Sequence, residues 1–535
     1  AMLYLLNHIC WFFLPGLLLA YLFRPNRQWY LSSFALSYGL LLLILLPLEF
    51  YGAEICWFTR LMRVALLSLI ILAFLKLAWQ WRRGRWDCGR YLGRWRRRSG
   101  AYLVALGLLA LFGLYWFWAG PYTEIPADFW AHLGRVQDQS RILETGRFPG
   151  YANFLVFISH QGLHWYFIVA WLCQQSGTSI AAALEMILLA NAVTFLLALL
   201  SFGLVLFRRG RYTRLTKTAL AALAALLGVA HLGVNVFSYV RYYTLAPALL
   251  NYGVFLAAAA AWIVFVEGTQ RAARGLWVLP FYFCSMVVIH TQEAMFAGML
   301  IMAVSLAAAL LAWRRGPGWR AGVAWRRTLP SLLLGLLWLG VFCWMRWQYP
   351  ALHLNRAELL PVTRWLPFFS DAFILHPAGQ FFQAFTLWGV FIYLAFLWRL
   401  PLFLGSAAIV GGMLIPLLTV FNPFLVDMFL RYQATAPLLL YRFAYIIPLA
   451  YVAAALSGEA LRYVFQPFKA GAISHSWRRR LGGGIFLIGL VALLHPGLGT
   501  GHSRWPTLAP VAARNSEALW ADLTAYLQTL PRCQL

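Results

Sequence analysis

The chain has 535 residues, of which 62% are hydrophobic and only 11% charged, and its formal net charge is +27. Soluble domains carry about 25% charged residues, whereas apolar runs of about 20 residues are long enough to cross a bilayer as helices. The composition therefore excludes an ordinary soluble protein. It predicts an all-α polytopic membrane protein, because helices satisfy their own backbone hydrogen bonds in lipid.

The basic residues lie in short loops between the apolar runs rather than on one soluble module. This distribution is typical of the positive-inside pattern and of attraction to anionic lipid headgroups. We therefore expect membrane lipids as partners and no nucleic acid. The seven cysteines show no CxxC pair or other metal-ligand spacing, so they are interpreted as small hydrophobic residues.

The basic loops mark the cytoplasmic side of the predicted topology, and they are 24–27, 82–98, 208–217, 271–274, 314–327, Arg399 and 462–480. About fourteen transmembrane helices (roughly 12–15) are predicted from apolar length. In chain order they lie near 3–23, 30–49, 57–79, 101–119, 180–207, 218–239, 245–266, 276–290, 294–313, 329–347, 384–399, 402–420, 434–457 and 484–499. The first run lacks a basic leader and a clear cleavage site, which indicates a retained helix rather than a signal peptide.

Two predicted outer loops, 120–163 and 348–383, are large and mix Pro, aromatic, His and charged residues. Residues 151–175 are apolar but interrupted, so we expect juxtamembrane helices packed at the outer surface, one of them partly inserted. Three regions are expected: an N-terminal extension of about three helices with a basic loop, a main transmembrane module, and a small outer tail. Their limits are 1–99, 100–499 and 500–535.

The first large outer loop carries a cluster of acidic, aromatic and His residues between Tyr122 and His132. Acidic residues are scarce, with 16 in the whole chain, and a carboxylate near hydrocarbon is costly, so the cluster indicates a functional site. Most acidic residues are predicted on the outer side, namely Glu124, Asp128, Asp138, Glu144, Glu293, Glu358, Asp371 and Asp427. The outer face is therefore predicted to carry the chemistry.

Chemistry at the outer face has no ATP, and the chain has no P-loop or dinucleotide fingerprint. Glycosyl transfer fits there if the sugar arrives on a lipid phosphate: a carboxylate takes the acceptor's proton and cations hold the leaving phosphate. Asp128 is the predicted general base, supported by Glu124 and His132. Arg442 and Arg431 are the predicted phosphate ligands, because an unpaired Arg inside a span costs about 2.5–3.5 kcal/mol.

Each of these residues also has a simpler structural interpretation. Asp128 could cap a helix or pair with Arg135, and Arg442 could pair with Asp427. Glu124 could be a solvated loop acid, and His132 could be an ordinary hydrogen-bonded His. Arg431 lies nearer the interface, where snorkelling of its long side chain is an ordinary explanation.

Further substrate contacts are predicted at polar residues on the outer side: His290, Gln292, Glu293, His160, His164, Arg241, Arg356 and, as a secondary candidate, Arg364. A polar kink that satisfies freed backbone groups explains residues 290–293 as an alternative. His160 and His164 have helical spacing but lack the Glu of a HExxH motif, so no metal site is predicted and a divalent cation stays an open alternative. The sequence indicates no other cofactor.

The order of these features resembles the GT-C superfamily of polytopic glycosyltransferases, which use polyprenyl-phosphate sugars. The resemblance rests on the basic segment, apolar span and acidic-aromatic-His loop, followed by GRFP at 146–149 and HWY at 164–166. LRY at 430–432 and PLLL at 437–440 similarly resemble a stretch that opens a late helix in many members. The resemblance covers about residues 100–460 and implies GT-C-like outer loops with a catalytic acidic residue, which Asp128 resembles by position.

The expected function is transfer of a sugar from a polyprenyl-phosphate donor to a hydroxyl of a lipid-linked glycan or glycolipid acceptor, with inversion. It would take place at the periplasmic face of a bacterial plasma (inner) membrane. One alternative is an O-antigen polymerase or ligase-like enzyme that uses polyprenyl-diphosphate glycans. The other is a transporter or lipid flippase, a class that favours polar groups near the middle of the membrane and related halves.

Overall fold

The computed structural model describes residues 2–23, 29–83, 127–153, 163–209, 212–232, 247–267, 276–314, 380–418, 446–465 and 473–493, with isolated positions between them. Within these residues the chain is almost entirely α-helical, and the β-contact is an isolated antiparallel bridge between Glu54 and Arg147. The described residues therefore confirm the predicted all-α class.

The helices of the first half are α1 Met2–Phe12, α2 Leu14–Phe23, α3 Trp29–Phe50, α4 Ile55–Arg82, α5 Ala127–Thr145, α6 Leu163–Gln175, α7 Ile180–Leu206 and α8 Arg214–Leu232. Those of the second half are α9 Pro247–Glu267, α10 Val278–Ile289, α11 Thr291–Arg314, α12 Gln380–Trp398, α13 Leu400–Phe403, α14 Ala407–Leu418, α15 Leu449–Phe465 and α16 Ile473–Ala492. Their long Leu- and Ala-rich stretches favour helix, since these residues have high helix propensity.

Six helical stretches of the described chain are long and apolar enough to cross a membrane: Met2–Phe23, Tyr30–Phe50, Ile55–Arg82, Ile180–Leu206, Leu250–Glu267 and Gln292–Arg314. Each coincides with a predicted span. Most of 101–119 and 329–347 lies outside the described residues, as do parts of 218–239 and 434–457. Helix α16 begins at Ile473, well before the predicted span at 484. Arginines such as Arg479 favour helix, whereas the prediction used apolar residues alone.

Described contacts join helix ends that border the predicted basic loops, and we call this end of the bundle the basic end. Lys76 Nζ donates to the backbone oxygen of Tyr21 at 2.7 Å, and Arg208 pairs with Glu267 at 3.3 Å. Farther along the chain, Arg399 pairs with Glu459 at 3.4 Å. Helix ends that border loops predicted on the same side of the membrane therefore contact one another.

The opposite helix ends meet at what we call the carboxylate end, which holds Glu49, Glu54 and Glu293. There Asn7 Nδ2 donates to Ser176 Oγ at 3.0 Å, which ties the start of α1 to the end of α6. The turn between α3 and α4 contacts the segment that follows α5. Helix α5 and helix α6 both belong to this end.

Burial separates central helices from peripheral ones. Only 6% of the apolar stretch of α4 is buried inside the protein, against 83% of that of α9. Helix α4 therefore presents apolar side chains to the surroundings, as a lipid-facing helix does, and α9 lies in the centre. Close packing between α11 and α14 depends on Gly411, since a Cβ there would lie 2.6 Å from the backbone oxygen of Ala303.

Candidate functional site

Helix α5 is the amphipathic helix that carries the predicted catalytic segment. Its buried face consists of Leu133, Val136, Gln139 and Leu143, while most of its other described side chains are exposed. The backbone of Asp128 lies in the first turn, one helical turn before His132, and the Asp128 side chain lies outside the described residues. The helix therefore lies along the bundle surface rather than across a membrane.

Helix α6 is the surface against which α5 packs, and it is buried on all sides from His164 to Cys173. The Tyr166 hydroxyl hydrogen-bonds Nδ1 of His132, and the Arg135 guanidinium lies 5.8 Å from the centre of the Tyr166 ring. Burial raises the pKa of the Tyr166 hydroxyl, while nearby Arg135 opposes the shift. The hydroxyl is therefore protonated at neutral pH and is able to donate to His132.

A buried hydrogen-bonded pair attaches α6 to the N-terminal helices. His164 Nδ1 lies 2.6 Å from Glu49 Oε2, with side-chain exposures of 0% and 6%. The Phe157 ring packs edge-on against the His164 ring with 5.1 Å between centroids. Burial, followed by the Glu49 carboxylate, raises the pKa of the Tyr151 hydroxyl. The fully buried ring of His164 thus hydrogen-bonds Glu49 and holds α6 in position against the end of α3.

Main-chain hydrogen bonds join residues 50–55 to residues 146–151, and we call this contact the junction. Its bonds are Ile55 N to Gly146 O (2.9 Å), Phe148 N to Ala53 O (3.0 Å), Tyr151 N to Phe50 O (2.9 Å) and Arg147 Nε to Gly52 O (2.9 Å). Gly52 and Gly150 have φ of 64° and 72°, and a Cβ on Gly52 would lie 3.2 Å from Gly150 Cα. The chain after α5 is therefore fixed to the α3–α4 turn.

A second polar cluster lies where α10 ends and α11 begins. His290 has extended backbone and breaks the helix, and its Nδ1 lies 2.6 Å from Glu293 Oε2. Asn251 Nδ2, on α9, donates to the same Glu293 oxygen at 2.9 Å and to the backbone oxygen of His290 at 2.7 Å. Glu293 and Asn251 are fully buried, whereas the His290 side chain is 26% exposed.

A small apolar groove, with a cavity volume of about 40 Å³, lies between α7, α8, α9, α11, α14 and α15. Its walls are aliphatic and aromatic, and they include Leu199, Leu300 and Tyr451. Tyr252 also lines the groove, directly after Asn251, and lies within electrostatic range of Glu293. Tyr252 is therefore the residue that relates the groove to the cluster, and His290, Glu293 and Asn251 do not themselves line the groove.

The structure brings some of the predicted site residues together. His132 meets Tyr166, His164 pairs with Glu49, and His290 and Glu293 contact each other, with Gln292 partly exposed beside them. The other predicted residues lie outside the described residues, namely Glu124, His160, Arg241, Arg356, Arg364, Arg431 and Arg442. Within the described chain, groups of three His, Cys, Asp or Glu side chains able to hold a metal ion are absent.

Sequence reasoning missed three residues of these clusters: Glu49, Asn251 and Tyr166. A charged group inside an apolar helix is costly, and this cost drew attention to Arg442. The same argument applies to the carboxylate of Glu49 near the end of α3. Tyr166 was noted only as part of the HWY pattern, and the contacts of Asn251 and Tyr166 are not visible in the sequence, because their partners lie 42 and 34 residues away.

The chain matches no protein-family model, no curated protein and no solved structure.

Proposed function

We propose that the protein is an integral-membrane glycosyltransferase that works at the carboxylate end of the bundle. It moves a sugar from a polyprenyl-phosphate donor to a hydroxyl of a cell-envelope glycan or glycolipid. The observation that carries this proposal is the fixed position of α5, the helix of Asp128, against buried α6 and the junction.

In the proposed reaction, the acceptor hydroxyl oxygen attacks the anomeric carbon while Asp128 takes its proton. The bond between the anomeric carbon and the phosphate oxygen breaks, and the electron pair leaves with the polyprenyl phosphate. Arg442, helped by Arg431, stabilises the phosphate as it departs. A single displacement of this kind inverts the configuration of the sugar and requires no covalent intermediate.

The contacts of α5 support this role because a general base must be held in one place. Positioning of reacting groups lowers the barrier by about 7–11 kcal/mol in well-oriented intramolecular reactions. His132 follows Asp128 by one turn and is hydrogen-bonded to buried Tyr166. The junction fixes the other end of the same helix, directly after Thr145.

The apolar groove supports a substrate carried on a lipid chain. Its wall is dominated by aliphatic and aromatic side chains, which suit an isoprenoid chain through apolar burial. Tyr252 of this groove lies within electrostatic range of Glu293 in the polar cluster at the carboxylate end, so we assign the polar head to the cluster and the apolar tail to the groove.

The proposed orientation puts the basic end in the cytoplasm and the carboxylate end in the periplasm of a bacterial inner membrane. Basic loops favour the cytoplasmic side, and Arg208, Arg399 and Lys76 gather at that end. Polyprenyl-phosphate sugars displayed on the outer leaflet would then reach Asp128 without ATP.

The proposal is tested with purified protein in lipid nanodiscs, incubated with labelled polyprenyl-phosphate sugars and with envelope lipid acceptors. We expect transfer of one sugar and release of free polyprenyl phosphate in equal amount. Polyprenyl-diphosphate glycans form a second arm of the panel. Transfer from these alone would replace the proposed donor, and absence of transfer from every lipid-linked sugar would contradict the proposal.

A further inference from the structure

The cluster of His290, Glu293 and Asn251 has two oxygen atoms that the bundle leaves without hydrogen-bond donors. Glu293 Oε2 accepts from Asn251 and contacts His290, whereas Glu293 Oε1 has no partner within the described chain. Asn251 Oδ1 likewise has none among the described residues. Both side chains have zero exposure.

Buried polar groups in folded proteins are almost always hydrogen-bonded, yet other buried polar atoms of the described chain also lack a partner, among them the Tyr38 hydroxyl and His164 Nε2. Glu293 Oε1 is the carboxylate oxygen in that set. Glu267 at the basic end shows the ordinary arrangement for a buried carboxylate. Its Oε2 pairs with Arg208, and its Oε1 accepts from Ser406 and from the backbone nitrogen of Ala408. The cluster around Glu293 therefore lacks donors that an equivalent carboxylate in the same protein possesses.

The missing groups are hydrogen-bond donors, because both open positions are side-chain oxygen atoms. The Glu293 carboxylate already faces the His290 ring at 2.6 Å and the Asn251 amide at 2.9 Å. Neutral hydroxyl groups would satisfy Glu293 Oε1 and Asn251 Oδ1 without adding charge to a buried site, where unbalanced charge is costly.

The surroundings indicate what carries those hydroxyls. His290 is 26% exposed, so the cluster borders the surface of the carboxylate end. Tyr252 connects the cluster to the apolar groove that it lines together with Leu256 and Leu300. A ligand that suits both environments has a hydroxyl-rich head and an apolar tail.

We propose that Glu293 and Asn251 form a binding site for the sugar head of a glycolipid, with two sugar hydroxyls donating to Glu293 Oε1 and Asn251 Oδ1. The apolar groove holds the lipid chain. This assignment deepens the proposed function and rests on it for the identity of the natural ligand, while sugar binding itself is measurable without any transfer.

The test measures binding of three probes to the full-length protein in nanodiscs, below their critical micelle concentrations and with empty nanodiscs subtracted. Octyl β-D-glucopyranoside has hydroxyl donors, its fully O-methylated analogue has none, and octylammonium chloride has a cationic donor. We expect the glucoside to bind the wild-type protein about tenfold more tightly than the methylated analogue, the effect of one or two lost hydrogen bonds. Equal affinities, or preference for octylammonium, would overturn the assignment.

Two variants locate the site, and one matched variant controls for the loss of a buried carboxylate. Glu293→Gln and Asn251→Leu are expected to lower glucoside affinity about tenfold, and Glu267→Gln to leave it unchanged. Thermal unfolding and size-exclusion chromatography establish that each variant is folded. Wild-type affinity in both folded site variants would place the sugar elsewhere.

The comparison of probes on the wild-type protein decides the question even where a variant does not fold. The outcome is also separate from that of the proposed function. A protein that binds the glucoside through Glu293 but transfers no sugar would contradict the transferase proposal and leave the binding site standing.

Discussion

His164 Nδ1 lies 2.6 Å from Glu49 Oε2, although 115 residues separate the two along the chain. The pair joins the end of α3 to the start of α6, which in turn contacts His132 on α5. Residues 1–99, expected from the sequence to be an N-terminal extension, therefore contribute Glu49 and the α3–α4 turn to the support of the candidate site.

The Glu49–His164 pair is expected to stabilise the fold as a unit. Removing one partner of a buried hydrogen bond leaves the other group unsatisfied and costs about 1–3 kcal/mol, more where that group is charged. We expect Glu49→Leu and His164→Leu each to lower the free energy of unfolding by about this amount. The double variant is expected to lose less than the sum of the two, as measured by denaturant unfolding in detergent.

Asp138→Leu is the control for this cycle, because Asp138 pairs with Arg141 at 3.9 Å with both side chains more than half exposed. An exposed pair contributes about 0–1 kcal/mol, so little change is expected. Strictly additive losses in the double variant would show that Glu49 and His164 do not act on each other.

The junction is expected to depend on the close approach of Gly52 and Gly150 more than on backbone conformation alone. Gly150→Ala places a Cβ 3.3 Å from Gly52 Cα at a φ of 72°, whereas Gly146→Ala has a similar φ of 73° and nothing within 4 Å in the described structure. A side chain at such a φ costs about 1–2 kcal/mol in both.

Hydrogen exchange at residues 146–151 separates these two contributions. Gly150→Ala is expected to speed exchange of the Phe148 and Tyr151 amides more than Gly146→Ala does, because it forces the two segments apart. Equal acceleration by both variants would mean that the contact between the glycines is unimportant.

Packing of α11 against α14 is expected to tolerate no side chain at Gly411. A Cβ there would lie 2.6 Å from the backbone oxygen of Ala303 and 2.7 Å from Val304 Cα. Gly411→Ala is therefore expected to lower the thermal unfolding midpoint. Gly484→Ala, on α16 with nothing within 4 Å in the described structure, should raise it, since Ala is favoured over Gly in a helix by about 1 kcal/mol. Matching shifts for both would contradict the packing of these helices.

The proposed orientation predicts that the two ends of the bundle react from opposite sides of the membrane. In a variant without the native cysteines, Glu144→Cys on α5 should react with a membrane-impermeant maleimide in intact spheroplasts. Arg479→Cys on α16 should react only after permeabilisation, because both positions are exposed but lie at opposite ends. The reverse labelling pattern would place Asp128 in the cytoplasm.

Much of the helical architecture could be predicted from the sequence, because crossing a bilayer requires long apolar runs that are visible residue by residue. The spans near 30–49, 180–207 and 294–313 correspond to α3, α7 and α11. The basic loops predicted which helix ends lie together, and contacts such as Arg208–Glu267 fit that grouping.

The local chemistry of the candidate site was less predictable, because it depends on long-range contacts. His164 was predicted to touch substrate, and the structure buries it against Glu49. The role of Asn251 could not be predicted from the sequence, because it depends on the hydrogen bond to Glu293 on a neighbouring helix. Residues 290–293 were found from their polar character at a turn.

The most direct measurement compares sugar transfer by Asp128→Asn and Asp138→Asn, two identical substitutions on α5, with transfer by the wild-type protein in nanodiscs. General base catalysis typically contributes about 10²–10⁴ in rate. We predict that Asp128→Asn folds normally and loses at least about a hundredfold in turnover, while Asp138→Asn keeps wild-type activity. Turnover by Asp128→Asn at the wild-type rate would contradict the account.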